Sequence, residues 1–319
     1  MKTILLTHTD SDGFASWFVL DYFNVHYDRV LICDYNRFDD ENEYKTLLEY
    51  DSIIMTDYSV SAEIVEKLLS ANKKVKIIDH HQNENADLLK QINNENFEFY
   101  FDSTKAGCML AYEYYKPKNC RVKKSFYQFV ELANTYDLFK KTDPLWEDAL
   151  NLNRVFYGCF SWGEEDVIEK TKFIREYWQN KLAKYNEWFW TDFELKKINN
   201  AIEKETKQFN ESKACLKKYV DDKGNKFGVT VAKSKVSLVA LKLLEQNEDI
   251  KYIAMINTYS GQWDKISLRS RTEEEFDCNS FEECKGHACA SGGEVDPQFA
   301  SKLYKGMQNL TYKKDVLNG

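Results

Sequence analysis

The sequence predicts an α/β protein: an N-terminal domain built on a parallel sheet, a helical linker, and a smaller α/β C-terminal domain. Short apolar runs begin about every 22 to 27 residues in the first quarter of the chain, with helix-like stretches between them. These runs are mostly unbroken rather than alternating, which is typical of strands covered on both faces. They lie at residues 3–6, 30–33, 52–55 and 75–78.

The remaining elements follow in chain order. Between the four strands the pattern predicts helices at 14–24, 42–50 and 62–70, followed by a fifth strand at 97–101 and a helix at 103–115. Ser125 is a candidate N-cap of a further helix that ends before Asp137. Residues 166–211 are helical, aromatic and charged in pattern. The last third predicts strands at 227–232, 252–256 and 265–269, a helix at 236–246 and a Gly-rich segment at 285–296.

Length and composition limit the function classes. The 319 residues predict about two domains, which we place at 1–190 and 215–319 with the linker at 191–214. A net charge of −8 argues against a nonspecific duplex-DNA coat, which needs clustered Lys and Arg. No apolar run approaches the length of a membrane span, and the N-terminal one is too short for a signal peptide. We therefore expect a cytoplasmic protein whose eight Cys are free thiols or metal ligands.

Polar side chains follow the predicted parallel strands at the point where each strand ends. Ligands of open α/β sheets bind outside the carboxyl ends of the strands, and right-handed crossovers bring those ends to one edge. The sequence therefore predicts a group of carboxylates and imidazoles at that edge. Its members are His8, Asp10, Asp12, Asp57, Asp79, His80 and His81.

The segment from Thr7 to Ser16 favours a metal site. His8, Asp10 and Asp12 alternate before Gly13, and carboxylate and imidazole groups suit a hard or borderline cation. An EF-hand loop does not fit, because the twelfth position holds Val19 instead of a bidentate Glu. A capping role for these acids is the alternative. The adjacent His80-His81 pair after Asp79 is a more specific signal than an isolated strand-end Asp.

The chain resembles the DHH phosphoesterase family in its motifs and in their order along the sequence. These motifs are H-x-D-x-D-G, then Asp57, then Asp79-His80-His81. The fourth motif of that family is a later Asp. Asp137, in the segment ELANTYDLF, is similar to it, and Asp102 is the competing choice.

The C-terminal region resembles the DHH-associated domain of the oligonucleotide-cleaving (nanoRNase-like) branch. The similar segments are SLRSR at 267–271 and GHACASGG at 286–293, with Lys285 in place of the first glycine of the signature. This resemblance implies a substrate-binding set of Arg269, Ser270, Gly286, His287, Ser291 and Gly292. A zinc site formed by Cys278, Cys284, His287 and Cys289 is the rival interpretation, although no closely paired C-x2-C is present.

The family resemblance implies two divalent ions, about 3.5–4 Å apart, that hold a hydroxide and stabilise the attacking and leaving oxygens. Manganese is expected, with Mg²⁺ and Co²⁺ as alternatives. One ion would take His8, Asp10 and Asp57. The other would take Asp12, Asp57, His80 and Asp137, with Asp57 bridging. Catalytic roles are implied for His81, Asp79 and His287, of which Asp79 would orient a ligand imidazole.

The expected function is hydrolysis of short single-stranded oligonucleotides, about two to five nucleotides long, to mononucleotides in a cleft between the two domains; a short substrate needs few basic contacts. Removal of a phosphate from 3′-phosphoadenosine 5′-phosphate is a related expectation. The alternatives are a phosphodiesterase for linear or cyclic dinucleotide messengers, a RecJ-type single-strand exonuclease and a non-catalytic binding protein. The sequence predicts no membrane association and no obligate protein partner, and it leaves a homodimer open.

Overall fold

A computed structural model describes residues 1–159, 167–233, 236–258, 261 and 263–313 of the chain, without the side chains of 36, 39, 167–170 and 285–287. The chain forms two compact units, Met1–Ile198 and Asn199–Gly319. Among the described residues, no helix is both long enough and apolar enough to cross a membrane.

The first unit is built on a five-stranded parallel sheet with the strand order β2-β1-β3-β4-β5. All five residues of β1 are buried, as expected for the central region of a sheet covered on both faces. The strands are β1 (Thr3–Thr7), β2 (Arg29–Ile32), β3 (Ser52–Thr56), β4 (Lys74–Asp79) and β5 (Phe97–Phe101).

Helices cover the two faces of this sheet and form two separate apolar cores. One core contains Phe14 and Trp178, and the other contains Met55 and Leu68. The helices are α1 (Ser11–Tyr22), α2 (Glu41–Leu47), α3 (Ala62–Ser70), α4 (Glu84–Leu89), α5 (Gly107–Tyr115), α6 (Lys124–Asp137), α7 (Trp146–Cys159), α8 (Val167–Lys184) and α9 (Asp192–Ala214), whose last part belongs to the second unit.

The second unit contains a six-stranded mixed sheet with the order β10-β11-β9-β8-β7-β6. Only β7 and β8 pair in parallel, because helix α10 connects them. The elements are β6 (Lys217–Val220), β7 (Lys226–Ala232), α10 (Val236–Glu245), β8 (Tyr252–Asn257), β9 (Lys265–Ser270), β10 (Lys285–His287), β11 (Ala290–Glu294) and α11 (Pro297–Tyr304).

The predicted α/β class and parallel sheet are confirmed, and several local predictions need correction. The helix predicted from residue 103 begins only at Gly107, because Asp102 and Thr104 form a turn first. Ser125 lies inside α6, where its hydroxyl donates to the carbonyl of Tyr185 instead of capping the helix. Asp137 is the last residue of α6 and does not lie beyond it. The sequence did not predict α4, α7, α11 or β6, and it indicated only a Gly-rich segment where β10 and β11 form.

Candidate metal centre

The predicted strand-end residues of the first unit meet at the carboxyl edge of its parallel sheet. The turn from β1 into α1 supplies His8, Asp10 and Asp12, and the loop after β3 supplies Asp57. β4 ends at Asp79, and His80 and His81 follow directly. Asp137 reaches the same place from the end of α6.

One group of ligand atoms comes from His8, Asp10 and Asp57, whose donor atoms all lie within 4.8 Å of one another. His8 Nδ1 is 3.0 Å from Asp10 Oδ2. The other oxygen of Asp10 accepts the backbone N–H groups of Asp12 (3.1 Å) and Gly13 (2.9 Å) and so caps α1. Capping and metal binding are therefore compatible, because they use different oxygens of one carboxylate.

A second group of ligand atoms adjoins the first and comes from Asp12, His80 and Asp137. His80 Nε2 lies 3.8 Å from Asp12 Oδ2 and 3.4 Å from Asp137 Oδ2. The same nitrogen is 3.2 Å from Asp57 Oδ1. Asp57 therefore lies between the two groups.

The backbone of Asp57 is in the left-handed region, with φ of 50°. Non-glycine residues seldom adopt this conformation, and such strain is concentrated at functional positions. Asp57 is almost fully buried, and its Oδ2 has no hydrogen-bond partner among the described residues. The buried Nδ1 of His8 also lacks a hydrogen bond of acceptable geometry, although Asp10 is near it.

The cluster holds more negative charge than its own side chains offset. Burial, together with the charges of Asp12 and Asp10, raises the pKa of the Asp57 carboxyl well above its usual range. Burial and the charges of the same two acids also raise the pKa of the Asp137 carboxyl well above its usual range. Carboxyls that are buried side by side ionise readily only when a cation is present. These observations, with the mixed carboxylate and imidazole donors, fit a divalent metal centre.

Asp79 and His81 form a supporting pair beside the metal-ligand groups. One Asp79 oxygen accepts from the backbone N–H of His80 at 2.8 Å and from His81 Nδ1 at 2.7 Å. Burial alone would lower the pKa of His81, but the hydrogen bond to Asp79 and the charges of Asp79, Asp10 and Asp12 together outweigh this and raise it. Asp57, Asp79, His80 and His81 form a third set of atoms that could hold a metal.

The N-terminus of α5 holds Asp12 in place, a contact that the sequence does not predict. The backbone N–H groups of Gly107 and Cys108 donate to the two Asp12 oxygens at 2.7 and 3.0 Å. Ala106 N–H donates to Asn134 Oδ1 at 2.9 Å, and Asn134 lies one turn before Asp137. The positive end of the helix dipole thus faces a metal-ligand candidate. A glycine after β5 is the only local sign of this approach.

The structure separates the two candidates for the fourth motif. Asp137 belongs to the cluster, whereas Asp102 accepts from Thr104 N–H at 2.9 Å in an exposed turn and pairs with Lys105. The geometry therefore favours Asp137 over Asp102 as a metal-ligand candidate.

In the second unit, the predicted substrate residues lie on two faces of the sheet. Arg269 pairs with Ala290 and Gly292 with Ser267, so Arg269 and Gly292 share a face. Ser270 and Ser291 are buried on the opposite face, where Ser291 Oγ donates to the carbonyl of Cys278. Gly286 pairs with Ser291 between β10 and β11, and the side chain of His287 lies outside the described residues.

The rival zinc interpretation concerns the same region. Cys278 and Cys284 are buried free thiols, and burial raises their pKa values to about 11 and about 12. Such thiols behave as small apolar side chains. The groups of described side chains that could hold a metal all lie in the first unit, while the side chain of His287 lies outside the described residues.

Comparison with solved structures finds proteins of similar fold. A structure described as the DHH domain of a member of the s1p family of ribosomal proteins aligns over 97% of this chain and 87% of its own, with 14% identity and a TM-score of 0.60. PggH from Vibrio cholerae, a pGpG-specific phosphodiesterase, aligns over 96% of this chain and 97% of its own, with 11% identity and a TM-score of 0.55.

No curated protein matches the sequence. A family match covers residues 2–134, which include every residue of the metal centre except Asp137. This match is to the model described as the DHH family, N-terminal domain.

Proposed function

We propose that the protein is a manganese-dependent phosphodiesterase that hydrolyses short single-stranded oligonucleotides and linear dinucleotides to mononucleotides. The observation that carries the proposal is the pair of adjoining ligand groups, His8–Asp10–Asp57 and Asp12–His80–Asp137, with Asp57 between them. Two divalent ions in such a site would activate a water and stabilise the attacking and leaving oxygens of a phosphodiester.

The chain's own residues have separable tasks in this proposal. His8, Asp10 and Asp57 would hold one ion, and Asp12, Asp57, His80 and Asp137 the other. The α5 N-terminus keeps both oxygens of Asp12 in place. Asp79 fixes His81, whose side chain is 20% exposed and can meet a phosphate oxygen. Imidazole among the donors favours Mn²⁺ over Mg²⁺, with Co²⁺ as a further alternative.

Arg269 supports a phosphate-bearing substrate. Its guanidinium is partly buried and donates to Ser237 Oγ through Nη2 at 2.9 Å and Nε at 3.2 Å, and to the carbonyls of Leu268 and Ser291 through Nη1. Within the described part of the chain, no carboxylate forms an ion pair with it. These hydrogen bonds occupy four of the five guanidinium N–H groups, and the fifth, on Nη2, can donate a charge-assisted hydrogen bond to a phosphate oxygen. The acidic net charge favours a substrate with few phosphates.

The test is a product profile with labelled oligonucleotides of two to ten nucleotides, the linear dinucleotide pGpG, cyclic dinucleotides and 3′-phosphoadenosine 5′-phosphate. With Mn²⁺ we expect the shortest linear substrates to be cleaved fastest, and chelation of the metal to abolish cleavage. pGpG is included because the similar fold of PggH belongs to a pGpG-specific phosphodiesterase.

The matched variants are His80→Ala and His26→Ala. His80 lies in the cluster, whereas the His26 side chain is 76% exposed and pairs with Asp28. We expect His80→Ala to lower the rate of hydrolysis at least about 100-fold, which exceeds the typical loss on changing an outer partner of a metal ligand. His26→Ala should keep the wild-type rate. Equal or faster cleavage of ten-nucleotide strands would favour a RecJ-type exonuclease. Full Mn²⁺ binding without hydrolysis of any substrate would favour a binding protein.

A further inference from the structure

Tyr35, the first residue of a short 3₁₀ helix after β2, has its ring against one histidine of the candidate metal centre. The rings of Tyr35 and His8 are stacked, with centroids 4.0 Å apart and an angle of 12° between the planes. Asp10 Oδ2 lies 3.0 Å from Nδ1 of the same imidazole. The orientation of His8 is therefore limited by an aromatic face and by a carboxylate at its edge.

The hydroxyl of Tyr35 engages a second histidine. It lies 3.0 Å from His81 Nε2, while His81 Nδ1 is 2.7 Å from Asp79 Oδ1. A carboxylate can only accept, so Nδ1 carries a proton, and Nε2 of the neutral ring accepts from the tyrosine hydroxyl. Both nitrogens of His81 are thus held, and its tautomer is fixed from two sides.

Tyr35 is itself held by the residue that follows Asp57. The hydroxyl of Tyr58, a fully buried residue, lies 2.8 Å from the carbonyl oxygen of Asp34 and 3.1 Å from that of Tyr35. Thr9 Oγ1 donates to Asp34 Oδ1 at 3.0 Å. The start of the 3₁₀ helix that carries Tyr35 is therefore fixed to the β1 and β3 ends of the same site.

We propose that Tyr35 is a positioning residue that acts through both histidines: its ring orients His8 for metal binding, and its hydroxyl orients His81 for turnover. The inference rests on the proposed function, since it assigns His8 to the metal and His81 to the substrate phosphate. Because the ring and the hydroxyl contact different histidines, the two effects can be separated by substitution.

The test compares Tyr35→Phe, which keeps the ring, with Tyr35→Leu, which removes ring and hydroxyl. In metal-free protein with ¹⁵N-labelled histidine, of which the chain has five, both variants should shift the His81 Nε2 resonance. We expect Tyr35→Phe to keep Mn²⁺ affinity within about twofold by calorimetry and to lose about tenfold in kcat with little change in KM. Tyr35→Leu should in addition weaken Mn²⁺ binding by about 10- to 100-fold.

Two controls separate positioning from general destabilisation. Tyr27→Phe removes another partly buried hydroxyl of the first unit, which lies 2.7 Å from Trp17 Nε1, and should leave the His81 resonance and Mn²⁺ affinity unchanged. In a His81→Gln background, Tyr35→Phe should cause no further loss of kcat.

An unshifted His81 resonance in Tyr35→Phe, or unchanged Mn²⁺ affinity in Tyr35→Leu, would overturn the inference. Absence of hydrolysis by the wild-type protein would overturn the proposed function instead, because the resonance and affinity measurements do not depend on turnover.

Discussion

At the scale of single residues, Gly107 is a position where the candidate metal centre leaves no room for a side chain. A Cβ at this residue would lie 2.6 Å from the Cβ of Asp57 and 3.0 Å from Asp12 Oδ2. Gly107→Ala should push the N-terminus of α5 away from both acids and lengthen the two hydrogen bonds to Asp12. We expect a loss of about 1–3 kcal/mol in the free energy of unfolding and weaker Mn²⁺ binding, measured by denaturant titration and calorimetry.

Gly158 in α7 is the matched control for this substitution. A Cβ there would be 3.4 Å from the side chain of Lys197, an ordinary contact with a flexible group. Gly158→Ala should stabilise the helix by about 0.5–1 kcal/mol and leave Mn²⁺ affinity unchanged. If both variants bound Mn²⁺ like the wild type, close approach of α5 would not be needed to hold Asp12.

The buried carboxyl of Asp57 lowers the stability of the metal-free protein, because it lies between two groups of acidic ligands. Its carboxyl is buried beside Asp12 and Asp10, and its φ of 50° is one that Asn adopts as readily as Asp. Asp57→Asn should therefore stabilise the metal-free protein by about 0.5–2 kcal/mol and lose the stabilisation that Mn²⁺ gives the wild type. Thermal unfolding with and without Mn²⁺ measures both effects.

Asp102→Asn, in an exposed turn, is the comparison for charge removal and should keep the Mn²⁺ response. A less stable Asp57→Asn protein that still responds to Mn²⁺ would contradict the assignment of Asp57 to the metal centre.

At the scale of secondary-structure elements, the sequence predicts those helices and strands whose apolar residues recur at a regular local spacing. Helix α3 and strand β5 have the predicted bounds because their apolar spacing is regular and turn residues flank them. The sequence also predicts that the strand-end acids and histidines lie close together, because parallel strands bring their carboxyl ends to one edge of the sheet. The roles of Tyr35 and Gly107 could not be predicted, because the contact of Tyr35 with His81 spans 46 residues and that of Gly107 with Asp12 spans 95 residues. Helix α7 depends in the same way on packing against α6.

Helices α8 and α9 are joined by a buried ion pair between Lys181 and Glu194. The Lys181 Nζ atom lies 2.7 Å from Glu194 Oε2, and the two side chains are 4% and 0% exposed. Glu194 also accepts from Trp178 Nε1 at 3.0 Å. Glu194→Leu would leave a buried ammonium without its partner, so we expect it to cost about 3–5 kcal/mol. Lys181→Met combined with Glu194→Leu should recover much of this in denaturant titrations.

The exposed pair Lys124–Glu187 serves as the control for this prediction. Its side chains are 60% and 70% exposed, and ion pairs of this kind contribute little. Glu187→Leu should shift the unfolding midpoint far less than Glu194→Leu. A double variant as unstable as Glu194→Leu alone would show that lost packing, and not the unpaired ammonium, causes the effect.

At the scale of the whole molecule, each unit has its own apolar cores, and the described metal-ligand groups belong to one unit alone. Phe14 and Met55 lie in the cores of the first unit, and Tyr252 and Val239 in those of the second. A ligand that binds only the folded form of one unit stabilises that unit by mass action. The distribution of metal-induced stabilisation along the chain therefore reports which unit holds the metal.

Hydrogen exchange followed by mass spectrometry can measure this distribution. At a Mn²⁺ concentration of about 100 times Kd, we expect the slowest amides of β1, β3 and β4 to gain about 2.7 kcal/mol of protection. Peptides from 199–319 should not change, and His80→Ala should abolish the effect throughout, because its imidazole lies between Asp12, Asp57 and Asp137. Protection by Mn²⁺ or Zn²⁺ centred on 278–289 would instead support a Cys and His site in the second unit. The same measurement thus decides between the strand-end cluster and its rival as the place where the chain binds a metal.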